Sequence, residues 1–246
     1  MPDLPQHFDE IAALWYDGNL IICGEKFHSE AKCYTFDKSD WQWNEDPEPF
    51  YYIRSGQVSF ARPKNSWLLY VIGGLANNFG KSVLAYDYNT NAFTNDNAYH
   101  PSLYKHCTLE LNISTILTIG KNHYFINQSD FTQPWKAKPH NLNLFSPSCL
   151  KMSDEKALVL DSESMDKLYQ IDIESLEFTT FQLNEPLAYG SQLTMLDGKV
   201  YVIGGSHTVK EIVMSENTVN VMNAAKTLKQ IRKNFAKVEM PLSYFT

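Results

Sequence analysis

The apolar positions of this chain fall in short bursts separated by turn formers. Trp67-Leu68-Leu69-Tyr70-Val71-Ile72-Gly73-Gly74 and Lys199-Val200-Tyr201-Val202-Ile203-Gly204-Gly205 are the plainest. Both are rich in β-branched and aromatic residues, which suit a pleated, half-buried surface. Leu196-Asp197-Gly198 precedes the second, and Asp-Gly ahead of such a run predicts a β-hairpin. Two glycines at a strand's end admit positive φ or the close approach of another backbone. Tyr-Val-Ile-Gly-Gly occurs twice, so the chain reads as a repeat protein.

Two further markers keep step with these strands. Proline followed three residues later by an aromatic occurs at Pro5/Phe8, Pro49/Tyr52, Pro101/Tyr104, Pro186/Tyr189 and Pro241/Tyr244, with a weaker copy at Pro139/Leu142. The successive prolines lie 44, 52, 38, 47 and 55 residues apart. An apolar residue then an Asp, with an aromatic six places on, gives Phe36-Asp37/Trp43, Tyr86-Asp87/Phe93 and Ile171-Asp172/Phe178. Turn formers such as Lys38-Ser39-Asp40 and Asn89-Thr90-Asn91 lie between the Asp and the aromatic.

Together the markers predict four strands per repeat. The first follows the proline (Gln192–Leu196 in the last repeat), the second ends at the double glycine, the third ends at the Asp and the fourth begins near the aromatic. In the first repeat Leu20-Ile21-Ile22-Cys23-Gly24 takes the second-strand place, with Cys23 for the first glycine. In the third, Tyr124-Phe125-Ile126-Asn127-Gln128 takes it, with Asn127 as a stand-in tolerant of the left-handed region. In the fourth, Lys156 to Ser162 takes it. Asn223 is read at the Asp position of the last repeat, and Ser129 to Lys138 as a degenerate or shortened outer edge of the third. A four-stranded sheet cannot bury two faces alone, so such sheets stack around an axis, each buried Val, Ile, Leu or aromatic contributing roughly 1.5–3 kcal/mol.

On Gly73-Gly74, Gly204-Gly205, Phe36-Asp37, Tyr86-Asp87, Trp43, Phe93 and Phe178, the chain resembles the kelch family. The resemblance implies an all-β, kelch-type β-propeller of about five four-stranded blades, or part of a ring of roughly six or seven. The repeats fall at residues 5–48, 49–100, 101–138, 139–185 and 186–240 of a single domain over 1–246. Residues 241–246 open a further blade or close the ring.

Composition narrows the classes. In 246 residues, 43% hydrophobic and 13% aromatic content is that of a globular chain with a sizeable core. A net charge of −7 argues against a nucleic-acid backbone as partner. No apolar run approaches the ~18 residues of a membrane helix, and Met1 to Glu10 has no signal-peptide pattern.

Kelch propellers serve mostly as binding platforms, with a minority of enzymes among them. The resemblance opens the loops before the first strand and after the double glycine on one face. It thereby places Phe8, Tyr52, Tyr104, Tyr189 and Tyr244 around the mouth, with His28, Asn77, Asn78, Phe79 and His207 on adjoining loops. Rigid aromatics with a polar tip are what interface hot spots use, so these ten residues are the candidate protein-binding set. Arg54, Arg62, Lys81 and Lys105 near the same loops suit an acidic peptide only weakly. Lys226 to Lys237 reads as outer strand in preference to an amphipathic helix.

Tyr99-His100 and Tyr104-Lys105-His106-Cys107 hold the densest metal-ligating residues. Some kelch-like oxidases bind copper through Tyr and His, but here no second His/Tyr pair repeats the arrangement, and an ordinary polar loop is expected. No Gly-x-Ser-x-Gly, phosphate loop or His-Glu-x-x-His is present. The expectation is a non-catalytic scaffold or adaptor without cofactor, bound to protein, not to nucleic acid, and not inserted in a membrane. The alternatives are a galactose-oxidase-like enzyme and a secreted adhesion or matrix protein. Cys23 and Cys33 lie on neighbouring strands, Cys107 and Cys149 near the first strands of adjacent blades. Four buried free thiols in a cytoplasmic chain are expected, against an extracellular chain with Asn112-Ile113-Ser114 and Asn127-Gln128-Ser129 as glycosylation patterns.

Overall fold

A computed structural model describes residues 9–16, 19–25, 32–37, 39–45, 55–61, 68–75, 82–87, 92–99, 106–112, 115–128, 135–161, 164–204, 206, 208–215 and 218–227. They form twenty strands in five four-stranded antiparallel sheets. Sheet one holds β1 (Asp9–Tyr16), β2 (Asn19–Glu25), β3 (Lys32–Asp37) and β4 (Gln42–Glu45). Sheet two holds β5 (Ser55–Ala61), β6 (Leu68–Leu75), β7 (Ser82–Asp87) and β8 (Ala92–Tyr99). In sheet three come β9 (Cys107–Asn112), β10 (Thr115–Ile119), β11 (His123–Gln128) and β12 (Lys136–Pro139). Sheet four is β13 (Pro147–Lys151), β14 (Lys156–Asp161), β15 (Lys167–Asp172) and β16 (Phe178–Gln182). Sheet five is β17 (Gln192–Leu196), β18 (Lys199–Ile203), β19 (Thr208–Met214) and β20 (Val219–Thr227). Within every sheet, strands adjacent in the chain are adjacent in space.

The turn chemistry explains the recurring residues. Asp197 (φ 50°) and Gly198 (φ 73°) are both left-handed, as a two-residue hairpin loop with type I′ character requires. Gly204, at the end of β18, has φ 87°. The Asp that ends a third strand is a turn anchor. Asp37 Oδ1 accepts from Ser39 N–H (2.7 Å) and the Ser39 hydroxyl (2.6 Å). Asp172 Oδ1 accepts from Ser175 N–H (2.8 Å) and its hydroxyl (2.9 Å). The hydroxyl bond first, then the amide, holds Asp37 below the usual carboxylate range; at Asp172 the amide leads. Four residues after each Asp, Trp41 (φ 58°) and Leu176 (φ 59°) take the left-handed conformation, so the two turns share one geometry. The aromatic at the sixth place packs back, with Trp43 5.1 Å from Phe36 and Phe178 6.0 Å from Tyr169 between ring centroids.

The sheets follow one another with their first strands side by side: β1 by β5, β5 by β9, β9 by β13 and β13 by β17. The succession is propeller-like. Cys107, Leu109, Leu117 and Ile119 of sheet three form one core with Ala157, Val159, Tyr169 and Ile171 of sheet four. Leu150, Leu158, Leu160 and Leu168 of sheet four form another with Leu193, Val200, Val202 and Ile212 of sheet five. Alternate residues of β14 therefore serve opposite neighbours, and Ala157 to Asp161 are buried without a break.

Three expectations are corrected. Tyr124 to Gln128 is the third strand of its sheet, and Asn127 lies within β11 opposite Ile116. The second strand is β10, a buried run that carries no terminal glycine pair. Asn223 does not end a third strand; it lies in β20 opposite Lys210, and the turn before β20 is closed by Ser215 N–H donating to Thr218 O (2.9 Å). Cys107 and Cys149 are not free thiols: they form a buried disulfide between β9 and β13, with Cα atoms 5.7 Å apart. Cys23 and Cys33 are Cα partners across β2 and β3. Lys226 belongs to β20, and 228–246 lie outside the described residues. No helix in the described residues is long and apolar enough to cross a membrane, which bears on helices alone.

Candidate functional site

Register places the entrance of each first strand beside the exit of its second. Cys107 pairs with Ile119, Pro147 with Asp161 and Gln192 with Ile203. The loop before a first strand and the loop after a second strand therefore open on the same side of the sheet. Two exposed aromatics occupy the entrance loops of sheets four and five. Phe145 is 36% exposed and Tyr189 40%.

Each rim aromatic stands over a buried polar anchor. Beneath Phe145 is the Asp161 carboxylate, 1% exposed at the end of β14. Its Oδ1 accepts the N–H groups of Phe145 (2.9 Å) and Ser146 (3.1 Å), and its Oδ2 that of Ser164 (3.3 Å). One carboxylate thus ties the entrance loop of β13 to the loop after β14, and its burial is offset by three donors. Tyr189 lies in a tight turn in which Gly190 has φ 77° and the buried Ser191 hydroxyl donates to Ala188 O (2.6 Å), with Gly204 O at 3.2 Å. Ser191 joins the entrance loop of β17 to the glycine after β18, as Asp161 does in sheet four. Between the two sheets Leu193 N–H donates to the buried Ser148 hydroxyl (3.0 Å). Both aromatics are presented on rigid supports, which lowers the ordering cost of binding through them.

The connector from β12 to β13 carries the remaining titratable chemistry. His140 Nδ1 accepts Leu142 N–H (3.2 Å), so the ring proton is on Nε2, which donates to Gly120 O (3.2 Å). Burial, opposed by the Nε2 bond to Gly120 O, holds His140 below its ordinary value, and His123 adds to the lowering. The His140 ring lies 4.8 Å from Tyr124 and 5.5 Å from Phe178, and Tyr124 stacks on Phe178 at 5.2 Å. The Tyr124 hydroxyl is buried, has no hydrogen-bond partner among the described residues, and is pushed up by desolvation. A phenol in that setting stays protonated, and the group is an apolar wedge across the seam between sheets three and four. Among the described residues no three His, Cys, Asp or Glu side chains are grouped to hold a metal ion. Cys107 of the Tyr104–Cys107 stretch is consumed by its disulfide.

Of the candidate binding residues, Tyr189 is exposed on the entrance face, on the expected loop. Phe8, His28, Tyr52, Asn77, Asn78, Phe79, Tyr104, His207 and Tyr244 lie outside the described residues, as do Arg54, Arg62, Lys81 and Lys105. Phe145 was not among the candidates. In its repeat the proline marker leads to Leu142, which is partly buried against the core of sheets three and four. The signal for Phe145 was its place two residues ahead of the Pro147 strand.

No protein-family model matches the chain, and no curated protein matches it. Among solved structures 458 chains match, so the architecture is widely shared and does not single out an activity. One of them, described as "Structure of YjhT", superposes with a TM-score of 0.70 over 97% of this chain and 89% of that chain, at 12% identity. At that identity the likeness is one of fold.

Proposed function

We propose that the chain is a kelch-type propeller of about five blades that acts as a non-catalytic protein-interaction module. Its partner docks on the face where first strands begin. The carrying observation is the pair of exposed aromatics, Phe145 and Tyr189, on the entrance loops of adjacent sheets that the buried Asp161 and Ser191 anchor. An aromatic whose loop is already fixed and whose ring is partly exposed has met much of its ordering cost and gains by being covered. The kelch resemblance would add Phe8, Tyr52, Tyr104 and Tyr244, which lie outside the described residues, to the same binding set.

The test compares proteins retained by the immobilised wild-type chain with those retained by Phe145→Ala/Tyr189→Ala. Hot-spot aromatics cost about 2 kcal/mol or more on truncation, roughly thirtyfold in affinity each. A specific partner should drop away from the double variant while its melting curve stays that of the wild type. Retention of every partner by a folded double variant removes this face from the reading.

A second reading, an extracellular chain in place of a cytoplasmic one, is favoured by the Cys107–Cys149 bond, since such bonds form and persist in oxidising compartments. Thiol counting on protein alkylated at the moment of cell lysis tests it. Alkylated Cys107 and Cys149 in native cells would return the chain to the cytoplasm.

A further inference from the structure

We infer that Asn184 is an edge clamp, a side chain that closes the outermost strand of sheet five against addition of the same strand from a second copy of the chain. Val221 N–H donates to Asn184 Oδ1 (2.6 Å), and Asn184 Nδ2 donates to Val221 O (3.3 Å). An amide N–H has one strong bond to give. Because it goes to Asn184, the peptide groups of Val221 point away from Ile212, its Cα partner in β19, toward the outer edge of the sheet. The Asn184 carboxamide therefore makes the donor and acceptor contacts that one residue of a fifth strand would make.

The clamp is held in place from its own loop. Leu183 N–H donates to Asp166 O (2.8 Å) and Leu187 N–H to Met165 O (2.7 Å), with both leucine side chains buried. Next to it, Glu185 Oε1 accepts from Lys210 Nζ (2.8 Å), which also reaches Asn223 Oδ1 in β20 (2.7 Å).

Among the outer edge strands, β16 has neither charge nor proline but is only five residues long, whereas β20 has length without protection. At nine residues it is the longest, it has no proline, and Lys226 is its single charge. By contrast β12 carries Lys136, Lys138 and Pro139, β4 is four residues ending in Glu45, and β8 carries Asp96. Short length, lysine, proline and charge are the usual devices that blunt an edge. At β20 a side chain from the preceding sheet's exit loop takes over that task. The occupant it excludes is a second β20, since an antiparallel pair of these strands sets Val, Asn, Met and Ala against one another with one lysine per strand.

The experiment is Asn184→Ala in the full chain, read by light scattering on a sizing column and by amide hydrogen exchange. The expected result is a mass that rises toward twice that of the wild type with concentration, at an unchanged circular dichroism spectrum. In dilute solution the Val221 amide should exchange at least about tenfold faster. Adding Met222→Lys, at an exposed position of β20, should restore the wild-type mass. An Asn184→Ala chain whose mass follows the wild type at every concentration overturns the inference, as does association that survives Met222→Lys. Should Asn184→Ala not fold, the wild-type chain decides: slow exchange at Val221 supports the clamp, and exchange at the rate of an unprotected amide overturns it.

Discussion

The covalent tie between β9 and β13 gives the sharpest number. Cys107 and Cys149 are 42 residues apart in sequence. In the chain-entropy description, closing a loop of that length removes about 13 cal/mol/K from the unfolded ensemble, or about 4 kcal/mol at 25 °C. Two partly offsetting local terms accompany Cys107→Ala/Cys149→Ala. Loss of two buried sulfurs costs up to about 1 kcal/mol each, while the alanines leave no polar atom among Leu109, Ile119 and Val159. The seam keeps other ties, since Lys151 Nζ donates to Leu111 O (2.6 Å) and Lys138 Nζ to Ser175 O (2.9 Å). The expected loss is therefore about 4 kcal/mol, equivalent to a drop of roughly 8–16 °C in Tm for a chain of this size. The assay is urea unfolding of the oxidised wild type, the reduced wild type and the double alanine variant, with hydrogen exchange to locate the loss. The double variant should fall well below the oxidised protein, with β9 and β13 exchanging first, and the reduced wild type should fall at least as far. A double variant within about 1 kcal/mol of the oxidised wild type would show that the unfolded chain gains no freedom when the bond is absent, and would refute the entropic account.

Two further outcomes follow from the anchors. Asp161→Ala leaves the N–H groups of Phe145 and Ser146 without their acceptor; a loss of about 2–4 kcal/mol is expected from stranded buried donors, read by urea unfolding, with Asp161→Asn losing less. His140 has a folded pKa below its ordinary 6.5, so its contribution is present above that value and is lost as pH falls through the folded pKa. Stability should therefore decline as pH is lowered below about 6.5, as protonation of Nδ1 evicts the Leu142 N–H, and the part of that slope due to this ring should vanish in His140→Gln; an unchanged slope would place the titration elsewhere.

What could be read in the sequence was what local chemistry dictates. Asp197-Gly198 forms its hairpin because both residues accept positive φ, and Asp37, Asp87 and Asp172 each end a third strand. The described turns after Asp37 and Asp172 show why: the carboxylate binds a serine within the turn, two residues on at Asp37 and three at Asp172. Where that chemistry is absent the reading slipped by one strand. Thr115 to Ile119 is buried from Ile116 onward because it is covered on both faces, so it shows no alternation, and the single Gly120 after it is not the glycine pair that marks other second strands. The exposed Phe145 escaped because its loop lacks the short proline-to-aromatic spacing. The Cys107–Cys149 pairing depends on which sheets become neighbours, a fact held in the packing of sheet three on sheet four and in neither cysteine's surroundings in the chain.

The side-by-side order of first strands also bears on how such a chain can change over time. Every substantial contact between sheets in the described residues joins consecutive ones, β1 with β5 through to β13 with β17. A substitution in sheet five is judged by sheet four and by its own turns, and never has to be reconciled with sheet two. Lineages can therefore rewrite one unit at a time, so that relatives come to share an outline and almost no letters. Inheritance in a molecule of this kind is carried by the seams, and a search for its kin should compare the residues that face one another across them.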